Sequence, residues 1–260
     1  MSFQRCRNTG LFIIAMLLSC GLAFAGQAQS NHAQSRFEGW SSVIIAADWR
    51  DGDGETIEAF DNARRDLSVA FLSAGMPAGL HQSITLNPDK PDTVSPAKAM
   101  NQINTALMAS SKGCLFYITS HGAPGEIVFG DSPGLTPAGL AVMLRRSCQT
   151  RPTVIVLSAC YSGSFVDALK APNRLIMTAA RRDRPSFGCG AGETYPWFDA
   201  CVLETLASAD DFLALAQSTR SCVAQREADA DIETPSEPQV FLGSEMQFRL
   251  PVLRFHRPSG

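Results

Sequence analysis

Two hydrophobic periods alternate along this chain of 260 residues, and that alternation limits its fold more than any other feature. SVIIAA (42–47), CLFYIT (114–119), TVIVLS (153–158) and RLIMTAA (174–180) are short continuous apolar runs, the pattern of strands covered on both faces. Between them the spacing changes to three and four. Phe60, Ala63, Leu67, Phe71 and Ala74 form one helical stripe that Gly75 stops. Ala97, Met100, Ile103 and Leu107 form another behind the cap Ser95-Pro96, and Leu140 and Leu144 a third behind Thr136-Pro137. HQSITL reads as a further strand, YPWFDACVLETL and DDFLALAQSTRSCVAQRE as closing helices, and EPQVFLGSEM as a late strand or extended loop. Strands alternating with helices predict an α/β fold with a mostly parallel sheet and helices on both faces.

The N-terminus reads differently. Arg5 and Arg7 precede the apolar run Leu11 to Leu18, and Ala23-Phe24-Ala25 follows it, which predicts a signal peptide over 1–25 and an exported, periplasmic or secreted chain. A rival reading takes LLSC, ending at Cys20, as a lipoprotein site that would tether the chain to a membrane, although Leu18 is bulky for that position. Residues 26–38 are polar and predict a flexible lead-in; the folded domain is expected over 39–250, with a tail over 251–260. A net charge of −3 without a lysine-rich block excludes nucleic acid as an expected partner.

Export gives the cysteines an oxidising setting. Outside the leader lie Cys114, Cys148, Cys160, Cys189, Cys201 and Cys222. If one is a free nucleophile, at most two disulfides can form and one further thiol is left over. No Cys-x-x-Cys or His-x-x-x-His spacing suggests a metal, and no cofactor loop is found. DGDGE (51–55) fails as a calcium loop because Thr56 stands where glycine is needed and Asn62 where glutamate is. His32, His81 and His256 sit in polar or terminal contexts and read as surface residues.

In open parallel sheets, sites form at the carboxyl ends of strands. His121 follows CLFYIT by two residues and Cys160 follows TVIVLS by two. Singly, a strand-end histidine or an apolar-run cysteine is more often packing than chemistry. If one helix joins two neighbouring strands, the pair shares a rim. Gly122 would let a substrate backbone approach, and the N–H groups of Gly122 and Cys160 could meet an oxyanion. The helix opening after CYSGSF would favour a Cys160 thiolate through its dipole.

TSHGAPGEIVFGD and LSACYSGSFVDAL resemble the His-Gly and Ala-Cys motifs of the legumain family of cysteine peptidases. MTAARRDRPSFGCG and TYPWFDA also resemble that family's pocket segments. The resemblance implies a caspase-like three-layer sandwich and a cysteine endopeptidase acting on peptide or protein substrates. It implies His121 as general acid/base and Cys160 as nucleophile, without requiring a direct hydrogen bond between them. Ser186 and Asp199 match positions that shape the pocket for the residue before the cut, where legumains prefer asparagine. The family's Arg-His pair after the first strand is absent; Asp48 and Arg50 stand there in a different spacing and are the substrate-contact candidates. Apart from the resemblance, Cys189 and Cys201 read as better candidates for a disulfide stapling the pocket loop than for zinc ligands, although the sequence does not give the pairing. A transpeptidase or protein ligase using the same pair, and a catalytically silent peptide-binding module, are the competing readings.

Overall fold

The computed structural model describes residues 36–256. The expected signal peptide, Cys20, His32 and the ends of the lead-in and tail lie outside the described residues.

In chain order the elements are β1 (Trp40–Ala46), α1 (Ala59–Ser73), β2 (His81–Thr85), α2 (Pro96–Ala109) and β3 (Gly113–Thr119). Then come three short strands, β4 (Gly122–Ala123), β5 (Glu126–Phe129) and β6 (Ser132–Leu135), and the helix α3 (Pro137–Ser147). β7 (Thr153–Ser158), α4 (Val166–Leu169), β8 (Arg174–Thr178), α5 (Trp197–Leu206), α6 (Phe212–Asp229), β9 (Gln239–Leu242) and the short α7 (Met246–Arg249) complete the domain. The main sheet runs β2-β1-β3-β7-β8-β9, parallel except for β9, which pairs antiparallel to β8.

Strand periodicity sorts the core into two layers. Ile44, Leu115, Tyr117, Val154, Val156, Leu175 and Met177 face α1, α5 and α6. Val43, Ile45, Phe116, Ile118, Ile155, Leu157 and Ile176 face α2 and α3. Both faces being covered explains why these strands read as unbroken apolar runs. The two helix caps read from sequence are made: Ser95 Oγ accepts from Lys98 N–H at 3.3 Å, and Thr136 Oγ1 from Gly139 N–H at 3.1 Å.

Several expectations need correcting. The crossover from β3 to β7 is not a lone helix, because the β4–β5–β6 sheet precedes α3. The inward alanine of α2 is Ala99 rather than Ala97. Phe37, at the end of the expected lead-in, is buried against Trp40, Phe212 and Phe255, and Phe255 belongs to the expected tail. Both segments are polar on average, yet each contributes one aromatic ring to the core. His81 is half-buried, with Nδ1 2.7 Å from Ser42 Oγ, and burial lowers its pKa.

The disulfides are Cys114–Cys148, joining β3 to the end of α3, and Cys201–Cys222, joining α5 to α6. The expected Cys189–Cys201 bridge is not formed. Cys201 lies on the buried face of α5, opposite α6, with its Cα 5.7 Å from that of Cys222. Closing loops of these lengths stabilises the fold by about 3–4 kcal/mol each in the chain-entropy view.

Candidate active site

The register of the two central strands sets the site. Thr119 of β3 lies opposite Ser158 of β7, and Ser120 N–H continues the pairing to Ser158 O at 3.0 Å. His121 and Cys160 therefore leave the sheet at the same level on adjacent strands. Gly122 packs directly on the nucleophile segment: a Cβ there would lie 2.4 Å from Cys160 O and 3.1 Å from Ala159 Cβ. The space next to this glycine is filled by Cys160's own backbone, not kept open for a substrate as the sequence suggested. Val128 N–H donates to His121 O at 3.0 Å, which makes Gly122 and Ile127 a non-hydrogen-bonded pair. The Gly122 N–H is thus outside the β4–β5 ladder.

The imidazole is held from the other side. His121 Nε2 lies 2.7 Å from the backbone carbonyl of Arg50. A carbonyl only accepts, so Nε2 carries the proton and Nδ1 is the nitrogen left for proton exchange. Phe60 meets the ring edge-to-face at 5.0 Å. The Arg50 side chain locks this loop: Nε donates to buried Asp48 at 2.9 Å, one terminal nitrogen to Gly130 O at 3.0 Å and the other to Asp131 at 3.0 Å. Its guanidinium also lies 4.5 Å from the Trp49 ring. Asp48 and Arg50, expected as substrate contacts, are thus assembled into a clasp beneath His121.

Cys160 is half-buried and unbridged. Its sulfur accepts the Ser186 N–H at 3.2 Å and lies 3.5 Å from Ser186 Oγ. Its pKa is lowered to about 5, first by a hydrogen bond from the Cys189 thiol, then by the Ser186 N–H and hydroxyl and by the charge of His121, all against the opposing effect of burial. Cys189, as donor of that bond and itself half-buried, is pushed above the ordinary thiol range. The helix dipole expected after CYSGSF is not the cause. A 3-10 turn (Ser162–Phe165) and the four-residue α4 follow, too short for a developed dipole. Tyr161, between Cys160 and the turn, is left-handed, with φ of 57°, and its N–H is bound to Arg184 O at 2.9 Å. Among the described residues no hydrogen bond joins His121 to Cys160.

Asp199, on the first turn of α5, is fully buried beneath the strand ends. Tyr117 and Thr119 hydroxyls each donate to its carboxyl at 2.5 Å. Burial raises its pKa to about 6, opposed by bonds from Thr119, Tyr117 and Ser158. Of the pocket candidates, Ser186 touches the nucleophile and Asp199 supports the floor. Tyr117, Thr119 and Ser158 were not singled out from sequence, and Cys189 was read only as a disulfide candidate; the strand-end hydroxyls at positions 119 and 158, level with the motifs, were the available signal.

A mostly parallel six-stranded sheet with a histidine and a low-pKa cysteine on adjacent strand ends defines a caspase-fold protein of cysteine-peptidase type. The fold is similar to that of caspase-1 from Spodoptera frugiperda, with a TM-score of 0.58 and 15% identity over 80% of this chain and 87% of that one. Residues 99–219, which hold His121, Cys160, Ser186, Cys189 and Asp199, match the model of the Peptidase C13 family. That match and the caspase-like fold together support a legumain-family, caspase-fold cysteine peptidase. No curated protein matches it in sequence.

Proposed function

We propose that the protein is an exported cysteine endopeptidase in which Cys160 is the nucleophile and His121 the general acid/base. The observation that carries this reading is the state of Cys160: a half-exposed thiol beside two hydrogen-bond donors and an imidazole, with its pKa lowered to about 5. At neutral pH it is a thiolate, ready to attack a peptide carbonyl.

The sulfur adds to the carbonyl carbon, and the oxyanion takes the Gly122 and Cys160 N–H groups. His121 Nδ1 protonates the departing amine, leaving a thioester on Cys160. Water then attacks the thioester, giving one proton to His121 and releasing the thiolate and the new carboxylic acid, which loses its remaining proton to solvent. The Arg50 carbonyl keeps the ring in one tautomer through both steps. Two disulfides within the domain support an oxidising location, in line with the leader read from the sequence.

The test is cleavage of a diverse peptide library by the mature protein, with Cys160→Ala and His121→Ala beside it. The reading expects internal cuts that thiol alkylation and either substitution abolish and chelators leave unchanged. Full activity in Cys160→Ala would end it. Adding an amine nucleophile and analysing the products separates hydrolysis from transpeptidation.

A further inference from the structure

The pairing of β8 with β9 continues past the strand ends, because Arg181 N–H donates to Ser236 O at 2.8 Å. Buried Ser236 is fixed in turn by its own N–H, which donates to the buried Glu227 carboxyl of α6 at 2.9 Å. Glu237, the next residue, is half-buried and left-handed, with φ of 53°. A residue with a side chain keeps that conformation only where its surroundings impose it. Its carboxylate meets two half-buried arginines, Arg181 Nη1 at 2.7 Å and Arg184 Nη2 at 3.5 Å. Between those two lies a turn, closed by Arg184 N–H to Arg181 O at 3.2 Å. Leaving it, the chain grips the nucleophile segment twice: Arg184 O accepts the Tyr161 N–H at 2.9 Å, and Ser186 N–H donates to Cys160 Sγ at 3.2 Å. Glu237 lies outside the residues that match the family model.

We propose that Glu237 is a positioning residue for the nucleophile: by pinning Arg181 and Arg184 to the entry of β9, it holds the 181–186 segment where Ser186 N–H reaches the Cys160 sulfur. The proposal rests on the reading of Cys160 as nucleophile. Among the described residues no hydrogen bond joins Glu237 to Cys160 or His121, so it acts through the turn. A single exposed ion pair would contribute little, but this carboxylate joins two guanidinium groups and is backed by the Arg181–Ser236 backbone bond. Asp183 also binds Arg181, at 2.6 Å and 3.0 Å, yet it belongs to the same segment and cannot tie that segment to β9. Without Glu237 the turn is free to shift against Cys160, and a displacement of about 1 Å at a reacting group is enough to cost catalysis.

Three variants of the full mature chain test this. Glu237→Gln keeps the length of the side chain and loses its charge, while Glu237→Gly loses the carboxylate and suits the positive φ. Asp167→Asn, the control, breaks the exposed pair with Arg182 on the same segment. Alkylation of Cys160 by iodoacetamide is followed against pH by peptide mapping in the mass spectrometer, with kcat and KM on one peptide and thermal unfolding alongside. Both Glu237 variants are expected to raise the alkylation midpoint by about one pH unit, because the thiolate loses a donor, and to lower kcat about ten-fold with KM little changed. Glu237→Gly is expected to unfold near the wild-type temperature, since relief of the left-handed backbone offsets the extra freedom of glycine in the unfolded chain. Asp167→Asn is expected to match the wild type throughout. A wild-type midpoint in both Glu237 variants, or an equal shift in Asp167→Asn, would overturn the proposal. Alkylation needs no turnover. A chain that shows the shift yet cleaves no peptide therefore sinks the peptidase reading and leaves the hold of Glu237 on the Cys160 thiol standing.

Discussion

The backbone carbonyl of Arg50 accepts a hydrogen bond from His121 Nε2 at 2.7 Å, across 71 residues of chain. The acceptor is backbone, so no substitution deletes it, but substitutions can move it. Asp48 and Gly130 O hold the Arg50 side chain from the protein side, and Asp131, mostly exposed, holds it from the solvent side.

Arg50→Ala should therefore lower kcat about ten- to a hundred-fold through misplacement of the imidazole, with Asp48→Asn following in the same direction. Asp131→Asn should change kcat little, because a solvated ion pair contributes only about 0–1 kcal/mol. Steady-state kinetics on one peptide substrate checks all three. Equal loss in Asp131→Asn would show that the clasp is not ordered as described.

Gly122→Ala places a methyl group 2.4 Å from a backbone oxygen of Cys160, an atom that cannot swing away as a side chain can. The nucleophile segment must shift, and we expect kcat to fall by about a hundred-fold while the two buried core layers keep the chain folded. Gly52→Ala, where a Cβ meets nothing within 4 Å, is the control and should match the wild type. Kinetics together with thermal unfolding of both variants distinguishes a local displacement from a global failure.

What could be read from the sequence divides along a physical line. β1, β3, β7 and β8 were legible because burial on both faces makes a strand a continuous apolar run, and α1 because its buried stripe keeps one phase. β4, β5 and β6 were not: GAPGEIVFGDSPGL has the glycines and prolines of a loop, and its strands are two to four residues long. His121 and Cys160 were legible because each sits two residues past a clear strand. The roles of Cys189 and Asp199 were not, since their partners lie on other strands and loops and no spacing along the chain encodes those contacts. The Cys201–Cys222 bridge depended on which faces α5 and α6 turn to each other, information that exists only once the helices are packed.

The acidity of Cys160 gives a pH prediction. A lowered pKa means that reactivity is present above about pH 5 and is lost as pH falls through it, not near the ordinary thiol value. The rate of alkylation by iodoacetamide, read by mass spectrometry, should therefore rise through a midpoint of about 5 and then level off. In Cys189→Ala the midpoint should move upward, because the thiol that most stabilises the thiolate is gone. A wild-type midpoint near 8 would contradict the hydrogen-bonded thiolate.

Asp199 carries the opposite sign. Its pKa is raised to about 6 by burial, whereas an unfolded aspartate titrates near 3.9. Between those values the folded chain binds more protons than the unfolded one, so this group makes stability fall as pH rises from about 4 to 6 and adds no further slope above. The full change amounts to roughly 3 kcal/mol at most. Asp199→Asn removes the titration while keeping a group that can bond the Tyr117 and Thr119 hydroxyls. Urea unfolding at several pH values across this window should show the wild type losing stability relative to Asp199→Asn as pH rises. Parallel curves for the two proteins would mean that the carboxyl is not desolvated beneath the strand ends, and that the floor of the site is open to water.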